Sequence, residues 1–272
     1  YMLLPGPPKE MEPMFLQYGS QALSTRNKSN EKIVSRVLRF FGIGEAALET
    51  EIMDLIDAQS NPTIAPLAGD GEVTLRLTAK HVDGKIAQSL LDNLEYTINQ
   101  RLGSFFYGYD QTSLLEEVMK TLQTRKLTIT AAESLTGGLF QQGLTAISGA
   151  SSVFTGGVVC YSNQVKQEIL KVRKETLETH GAVSEQCARE LAENANQLFK
   201  TDIGISFTGV AGPEELEGKP VGTVFIGIAI KGKPTIVEKL ILGGTREANR
   251  GHAVKYGCHF LLQLLKESQN AK

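Results

Sequence analysis

A glutamate, a serine, a threonine and two glycines follow one another where an apolar strand pattern gives way to a helical one. They are Glu133, Ser134, Thr136, Gly137 and Gly138. The pattern places Ser134 near the helix start, where backbone N–H groups have no partner within the helix. A serine there can attack a carbonyl carbon while neighbouring amides hold the oxyanion, provided that a base lies within hydrogen-bond reach. A serine N-cap followed by a glycine-loosened turn explains the same residues without chemistry.

A candidate base lies at the next junction between a strand and a helix. The run from Val158 to Lys166 reads as a strand, a polar turn and a helix that carries Lys166 near its first turn. A lysine is opposed there by the helix dipole, and partial burial would favour the neutral amine. Serine with a lysine base is a known catalytic pairing. A solvated surface lysine is the alternative.

Two further segments carry residue types that bind ligands. The strand pattern from Ile203 to Thr208 runs into the glycine-rich loop 209–213, where small residues let a ligand approach the backbone. Arg246 and Arg250 lie one turn apart on the same face of a predicted C-terminal helix, a spacing that suits bidentate binding of a phosphate or carboxylate. Pairing with neighbouring carboxylates accounts for the arginines equally well.

The elements that must position these residues divide into two predicted domains. From Thr112 the order is helix, strand, helix, strand, helices, strand, strand, strand and helix, which fits a three-layer α/β/α sandwich with a mixed sheet. Residues 31–110 read β-α-β-β-α-β, the split order of ferredoxin-like α+β domains, with a turn at Gly69-Asp70-Gly71. We therefore predict an α/β chain with domains at 31–110 and 111–272.

Charge, apolar stretches and the spacing of histidines and cysteines exclude several classes of function. The net charge of -2 and the absence of a basic run argue against broad nucleic-acid binding. The sequence contains no apolar stretch long enough to span a membrane. Its four histidines lack ligand spacing, so we predict no catalytic metal. Cys160, Cys187 and Cys258 have neither disulfide nor zinc spacing, and we expect them to pack in the core of a cytoplasmic protein.

Motifs in order along the chain resemble the C-terminal domain of the competence/damage-inducible protein CinA family. The matching segments are Ala-Glu-Ser-Leu-Thr-Gly-Gly at 132–138, Tyr-Ser-Asn-Gln-Val-Lys at 161–166, His-Gly-Ala-Val-Ser-Glu at 180–185, Thr-Gly-Val-Ala-Gly-Pro at 208–213 and Lys-Pro-Val-Gly-Thr-Val at 219–224. The resemblance implies a nicotinamide mononucleotide deamidase preceded by a KH-like domain that serves as linker and oligomerisation domain. Residues 1–30 resemble the tail of the molybdopterin-binding-like domain that opens CinA proteins, and a start at Tyr1 reads as a fragment.

The resemblance and the chemistry together suggest a role for each residue. Ser134 would attack the carboxamide carbon, Lys166 would accept its proton, and Tyr161 or Thr208 would relay or position that proton. Amides near Thr136, Gly137 and Gly138, or near Gly209, would hold the oxyanion, and Arg246 or Arg250 the phosphate. Glu133 would orient Lys166 or cap the helix.

The same resemblance implies a cytoplasmic homodimer that acts on a small-molecule substrate without a cofactor. One departure from the family lies in the loop after Gly212-Pro213, which is usually glycine-rich and here carries Glu214, Glu215 and Glu217. The alternative function is a non-catalytic, competence-associated protein that binds a nucleotide. Another amidohydrolase acting on a phosphorylated amide is a further alternative.

Overall fold

The computed structural model describes residues 1–26, 30–69 and 71–270, with side chains up to 267. Residues 27–29 of the predicted N-terminal remnant and Asp70 of the predicted turn lie outside the described residues. The chain begins with helix α1 (Pro8–Met14), a π-helical turn (Phe15–Gly19) and helix α2 (Ser20–Arg26). Gly19 is the one buried residue in these three elements, so this segment adds little to the hydrophobic cores of the two domains that follow.

The first domain has the predicted split arrangement. Its elements are β1 (Lys32–Phe41), α3 (Glu45–Glu51), α4 (Met53–Asp57), β2 (Thr63–Gly69), β3 (Glu72–His81), α5 (Gly84–Leu102) and β4 (Phe106–Tyr109). The antiparallel sheet has the order β2-β3-β1-β4, with the apolar face of α5 packed on β1 and β3. The first helix of the predicted order is divided into α3 and α4 at Ile52, where φ and ψ leave the helical region.

The second domain follows the predicted order of elements. They are α6 (Leu114–Arg125), β5 (Ile129–Glu133), α7 (Leu139–Thr145), a 3-10 turn (Ala150–Ser152), β6 (Phe154–Val159), α8 (Asn163–Glu168), α9 (Lys174–Thr179), α10 (Glu185–Phe199), β7 (Ile203–Gly209), β8 (Thr223–Ile230), β9 (Ile236–Ile241) and α11 (Arg246–Asn270). The sheet order is β6-β5-β7-β8-β9, with β5 parallel to β6 and β7 and the last two strands antiparallel.

Both faces of this sheet are covered, because successive strand residues point to opposite sides. Ala131 belongs to a core cluster with α6 and α11, whereas Ala132 belongs to a cluster with α10. The predicted fold class, a three-layer α/β/α sandwich after a small ferredoxin-like α+β domain, is therefore confirmed. Cys160, Cys187 and Cys258 are free and buried, as the sequence predicted.

Helix α11 joins the site region to the first domain. Near its middle, the Tyr256 and His259 rings lie 4.8 and 5.4 Å from the Phe41 ring. Lys255 pairs with Glu72 at 3.1 Å. One long helix therefore contacts the sheet of the first domain, while its first residues contact the loop that follows β7 in the second sheet.

Candidate active site

Ser134 and Lys166 meet, although they lie far apart in sequence. Lys166 Nζ lies 3.2 Å from Ser134 Oγ and donates at 2.9 Å to the Cys160 carbonyl. Lys166 is 2% exposed and Ser134 9%, so water is largely excluded from the pair. The two residues follow β5 and β6, neighbouring parallel strands whose carboxyl ends lie at one edge of the sheet. A hydroxyl and an amine at this separation suit a nucleophile and its base.

Glu133 caps α7 rather than orienting Lys166. One carboxylate oxygen accepts from the Gly138 and Phe140 amides at 3.0 and 3.1 Å, and the other from Gln141 at 2.9 Å. Glu133 is fully buried, so these bonds compensate for its lost hydration. Of the two roles left open by the sequence, the hydrogen bonds favour the cap.

The turn after Ser134 uses both glycines for their backbone freedom. Gly137 and Gly138 have φ values of +59° and +98°, which other residues rarely adopt. The Gly137 amide donates to the Ser134 carbonyl at 3.1 Å, and the Gly138 amide is occupied by Glu133. These two amides therefore hold the turn. Thr136 is fully buried, and its hydroxyl has no hydrogen-bond partner within the described part of the chain.

A cavity of about 500 Å³ opens beside Ser134. Its volume lies in the range of small-molecule sites. Of the predicted site residues, Ser134, Tyr161, Gly209 and Arg246 line it. The rest of the lining comes from Leu135 and the loop residues Val210, Ala211, Gly212, Pro213, Glu214, Glu215 and Leu216.

The two candidate arginines contact different structures. Arg246 lies in the cavity wall, where it donates to the Gly212 carbonyl at 2.6 Å and to the Tyr161 hydroxyl at 2.9 Å. Arg250 instead donates to the Leu135 and Thr136 carbonyls at 3.1 and 2.8 Å. Arg246 is thus placed to meet a ligand, and Arg250 holds the turn that carries Ser134.

The predicted proton relays are also separated. The Thr208 hydroxyl is buried and donates to the Ala182 carbonyl at 2.6 Å. Tyr161 is 62% exposed and lines the cavity beside Arg246. The structure therefore brings Tyr161 to the ligand side of the site and commits the Thr208 hydroxyl to the backbone behind the glycine-rich loop.

Sequence reasoning missed Asn249, which fixes this loop to the start of α11. Asn249 is fully buried, and its amide donates to the carbonyls of Ala211 and Gly244 at 3.1 and 3.0 Å. Its side-chain oxygen accepts from the Gly244 amide at 3.0 Å. The sequence offered one sign of this role. Asn249 lies one helical turn after Arg246, so its side chain lies near the loop that Arg246 contacts.

Cys160 is unsuited to the role of nucleophile. Burial raises the pKa of its thiol to about 11, against a smaller opposing effect of Lys166. The thiolate is the reactive form of cysteine, so this thiol is inert at neutral pH. Its backbone carbonyl, by contrast, holds Lys166.

The described residues contain neither a cluster of potential metal ligands nor a membrane-spanning helix. No group of three or more potential metal ligands occurs among them. None of their helices combines the length and apolar character needed to cross a membrane.

Fold and site together define an α/β protein with a buried serine–lysine pair beside a ligand-sized cavity. The family profile described as the CinA C-terminal domain matches residues 111–265, and the one described as the damage-inducible protein CinA KH domain matches residues 35–108. The chain belongs to the CinA family.

Relatives with competence-related names agree with this assignment. Competence-damage inducible proteins of Geobacillus kaustophilus and Bacillus subtilis are 60% and 57% identical over 97% and 98% of this chain. The chain spans 64% of the length of each of these two curated relatives.

Solved structures of related proteins resemble a little more than half of this chain. The competence damage-inducible protein A (ComA) of Klebsiella pneumoniae is 37% identical with a TM-score of 0.53, covering 54% of this chain and 92% of that one. A CinA superfamily protein of Escherichia coli is 35% identical with a TM-score of 0.54, covering 56% and 88%.

Proposed function

We propose that this chain hydrolyses the carboxamide of nicotinamide mononucleotide to nicotinate mononucleotide and ammonia. The observation that carries the proposal is the buried contact between Ser134 Oγ and Lys166 Nζ at the edge of a cavity that also holds Arg246. A nucleophile, a base and a phosphate-binding group are the parts that deamidation of a phosphorylated amide requires.

The first half of the reaction is acylation. The Lys166 amine accepts the hydroxyl proton as Ser134 Oγ bonds to the carboxamide carbon, which gives a tetrahedral intermediate. The proton then passes to the leaving nitrogen, the carbon–nitrogen bond breaks, and ammonia departs. An ester joins Ser134 to the nicotinate mononucleotide acyl group.

The second half is hydrolysis of that ester. Lys166 accepts a proton from water as the water oxygen bonds to the acyl carbon, and the proton returns to Ser134 Oγ as the ester breaks. Among the predicted oxyanion-binding segments, we assign this role to the loop at Gly209, because Gly209 lines the cavity. Each oxyanion donor contributes about 3 kcal/mol in enzymes of this type.

Arg246 is assigned to the phosphate. Its guanidinium lies in the cavity wall, and guanidinium groups bind phosphate through paired N–H donors. The Tyr161 hydroxyl accepts from Arg246, and this contact orients the guanidinium. A homodimer, a cytoplasmic location and action without a cofactor complete the proposal.

The test is incubation of the purified chain with nicotinamide mononucleotide, without added metal, while ammonia and nicotinate mononucleotide are both followed. We expect equal release of the two products, and its loss in Ser134→Ala. Ser152→Ala is the matched control, because Ser152 is an exposed serine in the 3-10 turn.

Each contrary result points to one alternative function. Binding of the nucleotide without ammonia release would favour a non-catalytic binding protein. Release of ammonia from other phosphorylated amides, but not from this one, would favour a different amidohydrolase.

A further inference from the structure

The acidic loop between β7 and β8 is folded back on itself by a tight turn. The Leu216 amide donates to the Lys219 carbonyl at 3.2 Å, and the Lys219 amide donates to the Leu216 carbonyl at 2.9 Å. The two residues between them, Glu217 and Gly218, have φ values of +54° and +66°. Positive φ at both central positions is the pattern of a type I′ turn.

Glu217 is an unusual residue for its position in this turn. Asparagine, aspartate and glycine are the residues that normally occupy it, since a longer side chain disfavours positive φ. A residue held in such a conformation persists when surrounding contacts over-determine it, and it is then often tied to function. The side chain of Glu217 makes such contacts.

The Glu217 carboxylate binds the segment that precedes α10. Its two oxygens accept from the backbone amides of Ala182 and Val183 at 2.9 and 3.1 Å. Gly181 has a φ of +82°, and a Cβ at that residue would collide with the carboxylate. Lys219 Nζ lies 3.7 Å from the same carboxylate. The carboxylate is therefore held between Lys219 and the backbone of residues 181–183, which we call the Glu217 seat. A residue larger than glycine does not fit at Gly181.

The seat is joined to the candidate active site on both sides. The Ala182 carbonyl accepts from the hydroxyl of Thr208, which immediately precedes the cavity residue Gly209. On the loop itself, Glu214, Glu215 and Leu216 form part of the cavity wall. The turn at Glu217 thus lies directly after a stretch of chain that a bound ligand would contact.

We propose that Glu217 is a positioning residue whose hydrogen bonds to Ala182 and Val183 hold the wall formed by residues 214–216 against the substrate. This inference rests on the proposed function, because the ligand of the cavity is taken to be nicotinamide mononucleotide. Glu217 does not line the cavity. Its loss should therefore weaken substrate binding and leave the chemical step at Ser134 intact.

Glu217→Asn is the variant that separates these effects. Asparagine followed by glycine is the preferred sequence of a type I′ turn, so the turn remains, whereas the shorter side chain no longer reaches the two amides. We expect KM and the Kd measured by calorimetry to rise about tenfold, with kcat within about twofold of wild type. Hydrogen exchange at the Ala182 and Val183 amides should become faster.

Lys200→Asn is the matched control. Lys200 also has a positive φ, +53°, and is the exposed C-cap of α10. Substitution by asparagine therefore relieves backbone strain there as it does at Glu217, but at a residue that does not line the cavity. We expect its KM, Kd and amide exchange to equal those of the wild type.

Two results would overturn the inference: an unchanged Kd in Glu217→Asn, or a kcat that falls by more than about twofold. If the wild type binds nicotinamide mononucleotide without releasing ammonia, the proposed deamidation fails. The Kd and the amide exchange then decide the role of Glu217 alone, with faster exchange and a higher Kd supporting it and unchanged values overturning it.

Discussion

One cationic side chain in each domain, Arg36 in the first and Lys166 in the second, is held by a different kind of partner. In the KH-like domain Arg36 pairs with Asp92 at 2.7 Å and also with Glu95. In the second domain Lys166 is more deeply buried, yet its hydrogen bonds go to a carbonyl and a hydroxyl, and no carboxylate pairs with it in the described part of the chain. A cation fixed by carboxylates stabilises architecture, whereas a buried amine among neutral oxygens is suited to exchange a proton.

The two domains each contain a buried glutamate, and both glutamates are engaged in structural hydrogen bonds. Glu95 accepts from Arg36 and from the Tyr109 hydroxyl, and burial together with Glu95 raises the pKa of Tyr109 to about 12. Glu133 is engaged by three backbone amides, although it adjoins Ser134. A carboxylate near a nucleophile is therefore not by itself part of the chemistry.

Removing the Lys166 amine tests this contrast with the largest expected effect. Lys166→Met keeps the length and apolar stem of the side chain but leaves Ser134 without a base, so kcat should fall about a thousandfold. The rate of ammonia release at saturating substrate measures it. Arg36→Met is the control and should lower the free energy of unfolding while leaving kcat unchanged. Equal losses of kcat in the two variants would remove the distinction between the cations.

His259 extends the comparison to the contact between the domains. Burial, with a smaller contribution from Lys266, lowers the pKa of His259 to about 4 from an ordinary value of 6.5. The unfolded chain therefore binds a proton more readily than the folded one between these values. The stability that this group contributes is complete above about pH 6.5 and falls by up to about 3 kcal/mol as the pH drops towards 4.

Denaturant unfolding at a series of pH values measures this effect. His259→Phe keeps a ring against Phe41 and should show a smaller loss of stability between pH 6.5 and pH 4. The same pH dependence in both proteins would show that other groups cause the loss.

Substitution of Arg246 or Arg250 by alanine is expected to give the smallest effect of these variants. Arg246→Ala should lower kcat/KM about thirtyfold for nicotinamide mononucleotide and much less for the nucleoside that lacks its phosphate. Arg250→Ala should affect both substrates alike, because Arg250 holds backbone carbonyls of the Ser134 turn. The ratio of kcat/KM for the two substrates is the measurement. A phosphate-dependent loss in Arg250→Ala instead would reverse the assignment.

Local pattern was sufficient to predict the elements and part of the site. The alternating residues of β1 and β3 and the periodic apolar face of α5 are properties of adjacent residues, so the split order of the first domain could be read directly. Ser134 and Lys166 could be paired because each follows a strand pattern. The resemblance to a family, together with the chemistry, then suggested the substrate on which the pair would act.

What the sequence did not reveal depends on contacts between distant segments. Arg246 and Arg250 share one helix face, and only the packing of α11 shows that one meets the cavity and the other a turn. The seat of Glu217 is formed by residues 181–183, which nothing in the acidic loop indicates. The engagement of the Gly137 and Gly138 amides likewise follows from folded geometry, not from glycine content.

The central claim is that Ser134 acts as a nucleophile with Lys166 as its base, and trapping the covalent intermediate tests it most directly. The wild-type protein would be mixed with nicotinamide mononucleotide, quenched in acid during turnover, digested and analysed by mass spectrometry. We predict that the peptide containing Ser134 carries the nicotinate mononucleotide acyl group, and that Ser134→Ala shows neither the adduct nor ammonia release. Ammonia release that persists in Ser134→Ala, with no adduct on the wild-type peptide, would contradict the claim.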